Sequence, residues 1–465
     1  MNPSDLVPGV HNAEEQLQSL VADVERHASY ASALLTRHDG LRVTVDDRER
    51  SVTEEPPSQG LVLSAWNGAY FEEAAGSELT QDGMALLGRR LADSIHRAAK
   101  GTVLDPGAPM RQHFSMPCEQ CPASLTPAEK LERCLDLHDR ARKLDARMVN
   151  VQVRYAETDE RKVFVNRTTS LSQSVVRLRL NVTMVVSDGQ QIKYDWLIKD
   201  GTGGLEVVRI TDGDLLRLRD SSVALLSAGR IPPGMYDVVC TPDVSGVIAH
   251  EAFGHGVELD MFLKDRARSQ QYLGKQIAAP LVDIIDDPSF PGGYGTYCFD
   301  DEGQLAAPTY VIQHGVFERG LSDMYSAHHL RVPRSANGRR QDFQRKVYVR
   351  MSNTFFARGH TPVSTMIEGV EHGVYLQHTS SGMEDPKGWG MQVTSHYGEE
   401  ILQGRLTGRR FAPIGITGYV PDILRSVSAV GDDFQLSGGT CGKGHKEWVP
   451  VSSGGPHLKL KARLG

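Results

Sequence analysis

The chain has 465 residues, 40% of them hydrophobic, and a formal net charge of −7 from 51 Lys and Arg against 58 Asp and Glu. That length exceeds what one hydrophobic core usually serves and predicts two or three domains. The charges are interspersed, with no basic block beyond short clusters such as Arg339-Arg340, which argues against nucleic acid or an anionic membrane as a main partner. No run of about 18 apolar residues occurs, and the opening Met1-Asn-Pro-Ser-Asp-Leu-Val-Pro-Gly9 lacks the charged-then-apolar order of a signal peptide. A soluble, cytoplasmic protein is therefore expected. Six cysteines without a disulfide framework agree with a reducing compartment.

Leu17, Leu20, Val21 and Val24 predict a helix over 13–35, followed by strands at 40–45 and 61–65. A second helix is expected over 81–100, with Met84, Leu87, Leu91 and Ile95 turned inward. These elements define a first α+β domain, 1–100. Prolines 106, 109 and 117 break all periodicity in 101–123, which reads as a connector. It carries Cys118-Glu-Gln-Cys121, a single thiol pair in a loop that reads as a bystander rather than a metal or redox site. A third segment, 124–234, opens on the capping box Thr126-Pro-Ala-Glu129. Alternating strands at 148–155, 161–166, 176–186 and 191–198 then predict an antiparallel meander. From 235 to 465 short strands at regular spacing, for example 279–285, 309–313 and 373–377, predict a mainly antiparallel, barrel-like β domain carrying one metal-binding helix. The class is α+β.

The chemistry concentrates in Val247-Ile-Ala-His-Glu-Ala-Phe-Gly-His-Gly256. Met235-Tyr-Asp-Val-Val-Cys240 is of strand type, and Thr241-Pro242-Asp243 supplies an N-cap, a proline at the first helical position and an acid in the first turn. Val244, Val247 and Ile248 form the anchoring face of the helix that follows. Its histidines, His250 and His255, are five apart rather than four, which rotates them about 140° from each other on a regular helix. Both can reach one ion only if the helix widens into a π-bulge or unwinds near Gly254. Glu251 beside them makes a hydrolytic metal site the stronger reading.

His250-Glu-Ala-Phe-Gly-His-Gly256, followed by Glu258 and Asp260, resembles the metal-binding signature of the TldD/PmbA family of cytosolic metallopeptidases, whose TldD branch carries His-Glu-x-x-x-His. Phe299-Asp-Asp-Glu-Gly-Gln304, Asn337-Gly-Arg-Arg340, Arg350-Met-Ser-Asn353, Cys441-Gly-Lys443, Val449-Pro-Val451 and Gly455-Pro456 resemble further blocks of that family, in the same order. The resemblance covers most of the chain and is strongest from about 235 onward.

It implies zinc held by His250, His255 and Cys441, with Glu251 as general base. Three protein ligands leave a fourth tetrahedral position for water, whose pKa falls toward about 7 on zinc, and a neighbouring carboxylate can take its proton. A thiolate among the ligands favours zinc over magnesium or calcium. His445 is a rival third ligand. Glu258 and Asp260 are expected as a solvated helix end, with hydrogen bonding to a ligand histidine as the alternative. The family pattern has a triple glycine and a short strand where this chain has Thr379-Ser-Ser-Gly-Met-Glu-Asp-Pro-Lys-Gly-Trp-Gly390, read as a loop near the cleft in which Pro386, Trp389 and the added charge either alter which peptide enters or are surface variation.

The resemblance thus implies a zinc-dependent peptidase acting on unfolded or small peptides, with zinc-bound water as nucleophile, and a dimer formed with itself or with a metal-free PmbA/TldE-like chain. Edge strands beside the metal would suit an extended peptide held by its main chain. Two alternatives stand beside it: a maturation or tailoring enzyme of a peptide natural product, and a non-catalytic regulator in which zinc is structural and its coordination shell closed.

Overall fold

Long β-strands, rather than the short ones expected, set the frame of the first half of the molecule. The computed structural model describes residues 13–96, 98, 101–444 and 446–465. Strand β1 (Tyr30–Val45) pairs antiparallel with β2 (Arg50–Trp66), which pairs with β3 (Phe71–Gly76). On its other edge β1 pairs with β5 (Met148–Asn166), which continues to β6 (Thr169–Ser187) and β7 (Ile192–Thr202); β4 (Met110–Ser115) lies parallel to β6.

These strands make one seven-stranded sheet. Register between β1 and β5 is unbroken from Ser32↔Asn166 to Val45↔Val153, so residues 13–96 and 124–202 share a sheet across the boundary expected near 100. The strands expected at 148–155 and 161–166 are a single β5.

Alternation decides which side of this sheet is covered by what. Leu35, Leu63, Val163 and Val165 face α1 (Ala13–Glu25) and α2 (Gln81–Ser94), packing on Leu17, Val21, Met84 and Leu91. Toward the other end, Val43, Val151 and Val182 pack with Cys134 and Leu137 of α3 (Pro127–Arg142) and Leu218 of α4 (Asp212–Ala224). The capping box of α3 forms as expected, with Thr126 accepting from the Glu129 N–H and Glu129 accepting from the Thr126 N–H.

The first helix ends ten residues short of the expected 13–35, because Tyr30–Leu35 is already strand. The second stops at Ser94, short of the expected 100, and residues 97, 99 and 100 lie outside the described residues. The expected connector contains β4.

The opposite face of the sheet receives the C-terminal region. Leu34, Val62, Phe164 and Leu171 pack against Phe299 and Phe343. Buried ion pairs reinforce this seam: Lys162 Nζ lies 2.7 Å from Asp301, and Arg177 pairs with Glu160 at 2.7 Å while donating to the carbonyls of Tyr294 and Thr296, each at 2.9 Å. The block Phe299-Asp-Asp-Glu-Gly-Gln304 is thus a docking turn.

The C-terminal region opens with β8 (Gly234–Cys240), followed by α5 (Pro242–Phe253), which has Thr241 at its N-cap position, without a side-chain capping bond, and Pro242 at its first position. Next come β9 (Ile284–Asp286), β10 (Thr309–Gln313) and β11 (Val316–Phe317), a small ribbon of β12 (Gly338–Arg339) and β13 (Tyr348–Val349), then β14 (Asn353–Phe356). β15 (His372–Asp385), β16 (Gly390–Leu402), β17 (Arg405–Phe411) and β18 (Ile414–Tyr419) follow, then β19 (Ala429–Val430), β20 (Gln435–Lys443), β21 (Lys446–Gly455) and β22 (Leu458–Leu464).

Five of these strands close a barrel in the order β15-β8-β22-β18-β16, with β16 pairing back to β15. The remaining six-stranded sheet runs β11-β10-β9-β14-β21-β20. Helix α5 is wedged between barrel and sheet, its Val244, Ile248, Ala249, Ala252 and Phe253 buried in the largest core. The expected α+β class with a barrel-like C-terminal part is therefore what the chain forms. No helix among the described residues is long and apolar enough to cross a membrane.

Candidate metal centre

The sequence spacing required a distortion near Gly254, and the structure supplies it: α5 ends at Phe253 and a 3-10 turn takes over at His255–Val257. Gly254 is helical in conformation (φ −94°, ψ −65°), so a need for positive φ does not explain it. Close packing does. A side-chain carbon there would collide with Met351 Sδ and with the His250 carbonyl oxygen.

Across this break His255 lies on the side of His250, and their rings stand edge to face with centroids 5.3 Å apart. Strand β20 brings in Cys441, whose Sγ lies 3.1 Å from His250 Nε2 and 3.2 Å from His255 Nε2. Among the described residues these three form the group able to hold a metal ion, with donor atoms all within 4.8 Å of one another. His445 lies outside the described residues.

The donors fit a zinc ion. Bonds of about 2.0–2.3 Å at tetrahedral angles place donors roughly 3.5 Å apart, and the two nitrogen–sulfur separations fall a few tenths of an ångström short of that. Two imidazoles and a thiolate are also the softer donor set that zinc accepts and magnesium or calcium does not. Electrostatics prepare the thiolate: burial pushes Cys441 up, but His250 and His255 outweigh it and hold the thiol well below its ordinary range. The imidazoles respond in kind, both raised by the sulfur against the opposing effect of burial. His250 Nδ1 is buried without a hydrogen-bond partner, whereas His255 Nδ1 faces Glu258 Oε2 at 3.5 Å.

That last contact overturns the expected solvated helix end. Glu258 and Asp260 are buried, and Lys443 Nζ sits between them at 2.9 Å and 2.7 Å. Lys443 is two residues from Cys441 on the same strand, so the strand that delivers the sulfur is tied to the turn that carries His255. Arg350, fully buried, donates to the Cys441 carbonyl at 2.9 Å, and Arg339 donates to the carbonyls of Met351 and Pro450 at 2.6 Å and 2.8 Å. Asp286 collects Asn337 Nδ2, the Ser352 N–H and the hydroxyls of Ser352 and Thr354 at 2.7–2.9 Å. The two blocks around 337–340 and 350–353 therefore scaffold the cysteine strand.

Glu251 projects from α5 beside His250 into a cleft of about 620 Å³, which Trp448, Met383 and Glu384 also line. The stretch 379–390 makes one wall of it. This stretch is no loop: residues up to Asp385 continue β15, Gly390 starts β16, and the two pair down to Asp385↔Gly390. Trp389 is wholly buried against Phe253, Tyr272 and Tyr419, which fixes the turn rather than decorating the surface. Gly382 rests on Glu251, and Glu384 accepts the Gly256 N–H at 2.9 Å.

Sequence reasoning gave Glu384, Lys443 and Arg350 no role. For Lys443 the signal was present, since residues i and i+2 of a strand share a face. Cys118 and Cys121 are exposed free thiols. A larger recess of about 860 Å³ beneath α3 contains Cys134 but belongs to no metal-ligating group among the described residues.

Residues 233–463 match the family model described as PmbA/TldA metallopeptidase C-terminal domain. A metalloprotease of Methanothermobacter thermautotrophicus is 30% identical over 456 residues, covering 96% of this chain and 97% of its own length. A zinc metalloprotease TldD homolog of Saccharolobus solfataricus is 26% identical over 309 residues, 66% of this chain and 67% of its own. The crystal structure of TldE from Thermococcus kodakarensis has the same fold, with a TM-score of 0.76 at 15% identity over 97% of this chain and 100% of that one.

Proposed function

As this chain belongs to the TldD/PmbA metallopeptidase family, we propose that it hydrolyses peptide bonds in unfolded or small peptides with one zinc ion held by His250, His255 and Cys441. The observation that carries this reading is the convergence of two imidazoles and a thiolate beside the carboxylate of Glu251 in an open cleft. Zinc bound there would supply Lewis-acid activation of a water and a substrate carbonyl. Glu251 is the general base: its side chain lines the cleft and takes the proton from the attacking water, then returns it to the leaving amine. Glu258 fixes the His255 tautomer by facing Nδ1, leaving Nε2 free to ligate.

The position of β20 at the edge of its sheet supports the same reading. Among the described residues, strand β20 has β21 on one side and no strand on the other, and Gly439, Thr440 and Gly442 line the cleft beside Cys441. An extended peptide can add there as a further strand, held by main-chain hydrogen bonds with little demand on its sequence. The shared fold with a TldE chain supports pairing with such a chain or with a second copy.

The test is mass spectrometry of unstructured peptides incubated with the zinc-loaded chain, with Glu251→Gln as control. Fragments produced by the parent and not by the variant are expected. Intact peptides, both with this chain alone and with a TldE-like chain added, would refute the peptidase reading.

A further inference from the structure

The free edge of β20 does not run its whole length. At Gly438 both main-chain groups are already taken by side chains of the N-terminal sheet: the N–H donates to Asp200 Oδ1 at 2.8 Å, and Arg179 Nη2 donates to the carbonyl at 2.9 Å. Asp200 comes from β7 and Arg179 from β6, adjacent strands paired at Arg179↔Asp200. The second oxygen of Asp200 is buried, 3.7 Å from Arg179 Nε, and the guanidinium lies over the Tyr294 ring at 5.8 Å.

The approach is so close that a side-chain carbon on Gly438 would stand 2.7 Å from the Asp200 carboxyl. Main-chain groups of a strand alternate sides, so those of Thr440 and Gly442 point the same way as those of Gly438, toward the unpaired edge. Thr440 is exposed and lines the cleft. An acid and a base from another sheet thus occupy the Gly438 station of the edge as a strand would, and among the described residues no strand pairs with the stations at Thr440 and Gly442.

We propose that Asp200 and Arg179 are an end-stop for the substrate strand, so that the cleft takes a peptide by one terminus and releases short fragments. This rests on the reading of the cleft as a peptide site. From Gly438 to Cys441 there is room for about three residues at about 3.3 Å each. A chain lying along β20 past the metal must end within that distance, because its next main-chain partner is already engaged and the sheet behind it blocks the path. Specificity then lies in having a free end, not in any side chain.

The experiment compares a linear peptide of about 20 residues with the same sequence closed head to tail, binding to the zinc-loaded Glu251→Gln chain and read by Trp448 fluorescence or calorimetry. The ring is expected to bind at least about tenfold more weakly than the linear form. In Glu251→Gln carrying also Asp200→Ala and Arg179→Ala, the gap should close to within about threefold. Arg179→Ala alone, at a half-buried side chain, should narrow it if the double change disturbs folding, and Asp200→Asn, which keeps the acceptor oxygen, should leave it in place. With the parent chain, cleaved linear peptides should lose fragments of three residues or fewer from one end.

Equal binding of ring and linear peptide, or a gap that persists in every Asp200 and Arg179 variant, overturns the end-stop. Failure of both peptides to bind overturns the peptide-cleft reading along with it.

Discussion

Lys443 Nζ lies 2.9 Å from Glu258 Oε2 and 2.7 Å from Asp260 Oδ1, and through Glu258 it reaches the outer nitrogen of His255. One ammonium therefore locks together two chain segments, far apart in sequence, that carry His255 and Cys441. Replacing it by Lys443→Met leaves two buried carboxylates facing each other, a loss of about 3–5 kcal/mol for a broken buried pair. Zinc affinity should fall about 10- to 100-fold with loss of such an outer partner. Competition against a chromogenic chelator measures it, and an unchanged affinity would show that β20 holds its position without the ion triad.

Acid should undo the same triad. Burial pushes the Glu258 carboxyl up, but Lys443, His255 and Arg350 together hold it at about 2 against an ordinary 4.5. A carboxyl whose folded pKa lies below its unfolded one stabilises the fold fully above the unfolded value and progressively less as pH falls toward the folded one. Glu258 thus contributes about 3 kcal/mol at neutral pH that disappears between about pH 4.5 and 2. Thermal melts of the metal-free chain across that range should show the decline. In Lys443→Met it should begin at higher pH.

Cys441→Ala should separate ligation from folding. Zinc added to the parent chain should raise the melting temperature through its preferential binding to the folded state, by about 2.7 kcal/mol of stability at a hundredfold excess over Kd. In Cys441→Ala the midpoint should barely move with zinc. A shift equal to the parent's would remove the cysteine from the ligand set.

The break in the metal helix can be tested by filling the space it depends on. Gly254→Ala places a carbon against Met351 Sδ and the His250 carbonyl, and overpacking of this kind costs about 1–3 kcal/mol. Met351→Ala opens a cavity of its own in the core, but because it clears one of the two obstacles the double variant should lose less stability than the sum of the two single changes. Denaturant unfolding of the two single variants and the double would reveal the coupling.

Spacing made part of the centre readable: His250 and His255, five apart, could meet only where the helix is broken, and it breaks at Gly254, whereas Cys441, which lies beside them, was pointed to by the family resemblance and not by any spacing. The supports were harder to see. Glu258 and Asp260 look like a polar helix end until the Lys443 ammonium, which neutralises them, arrives from residue 443. Tyr30–Leu35 looked helical because Ala31, Ala33, Leu34 and Leu35 are buried on both faces of their strand, and a segment apolar on both sides shows no period of two. Trp389 and its charged neighbours gave the appearance of a surface loop, since only the tertiary fold reveals the pocket formed by Phe253, Tyr272 and Tyr419.

The closure of the barrel carries a consequence for when this protein becomes competent. Strand β8, which launches the metal helix, is flanked by β15 and β22, both of which emerge from the ribosome long after it, and contacts of such long range form late. The His-Glu segment therefore spends much of synthesis with neither a neighbouring strand nor its sulfur. The His250, His255 and Cys441 group is therefore assembled only after most of the polypeptide has been made.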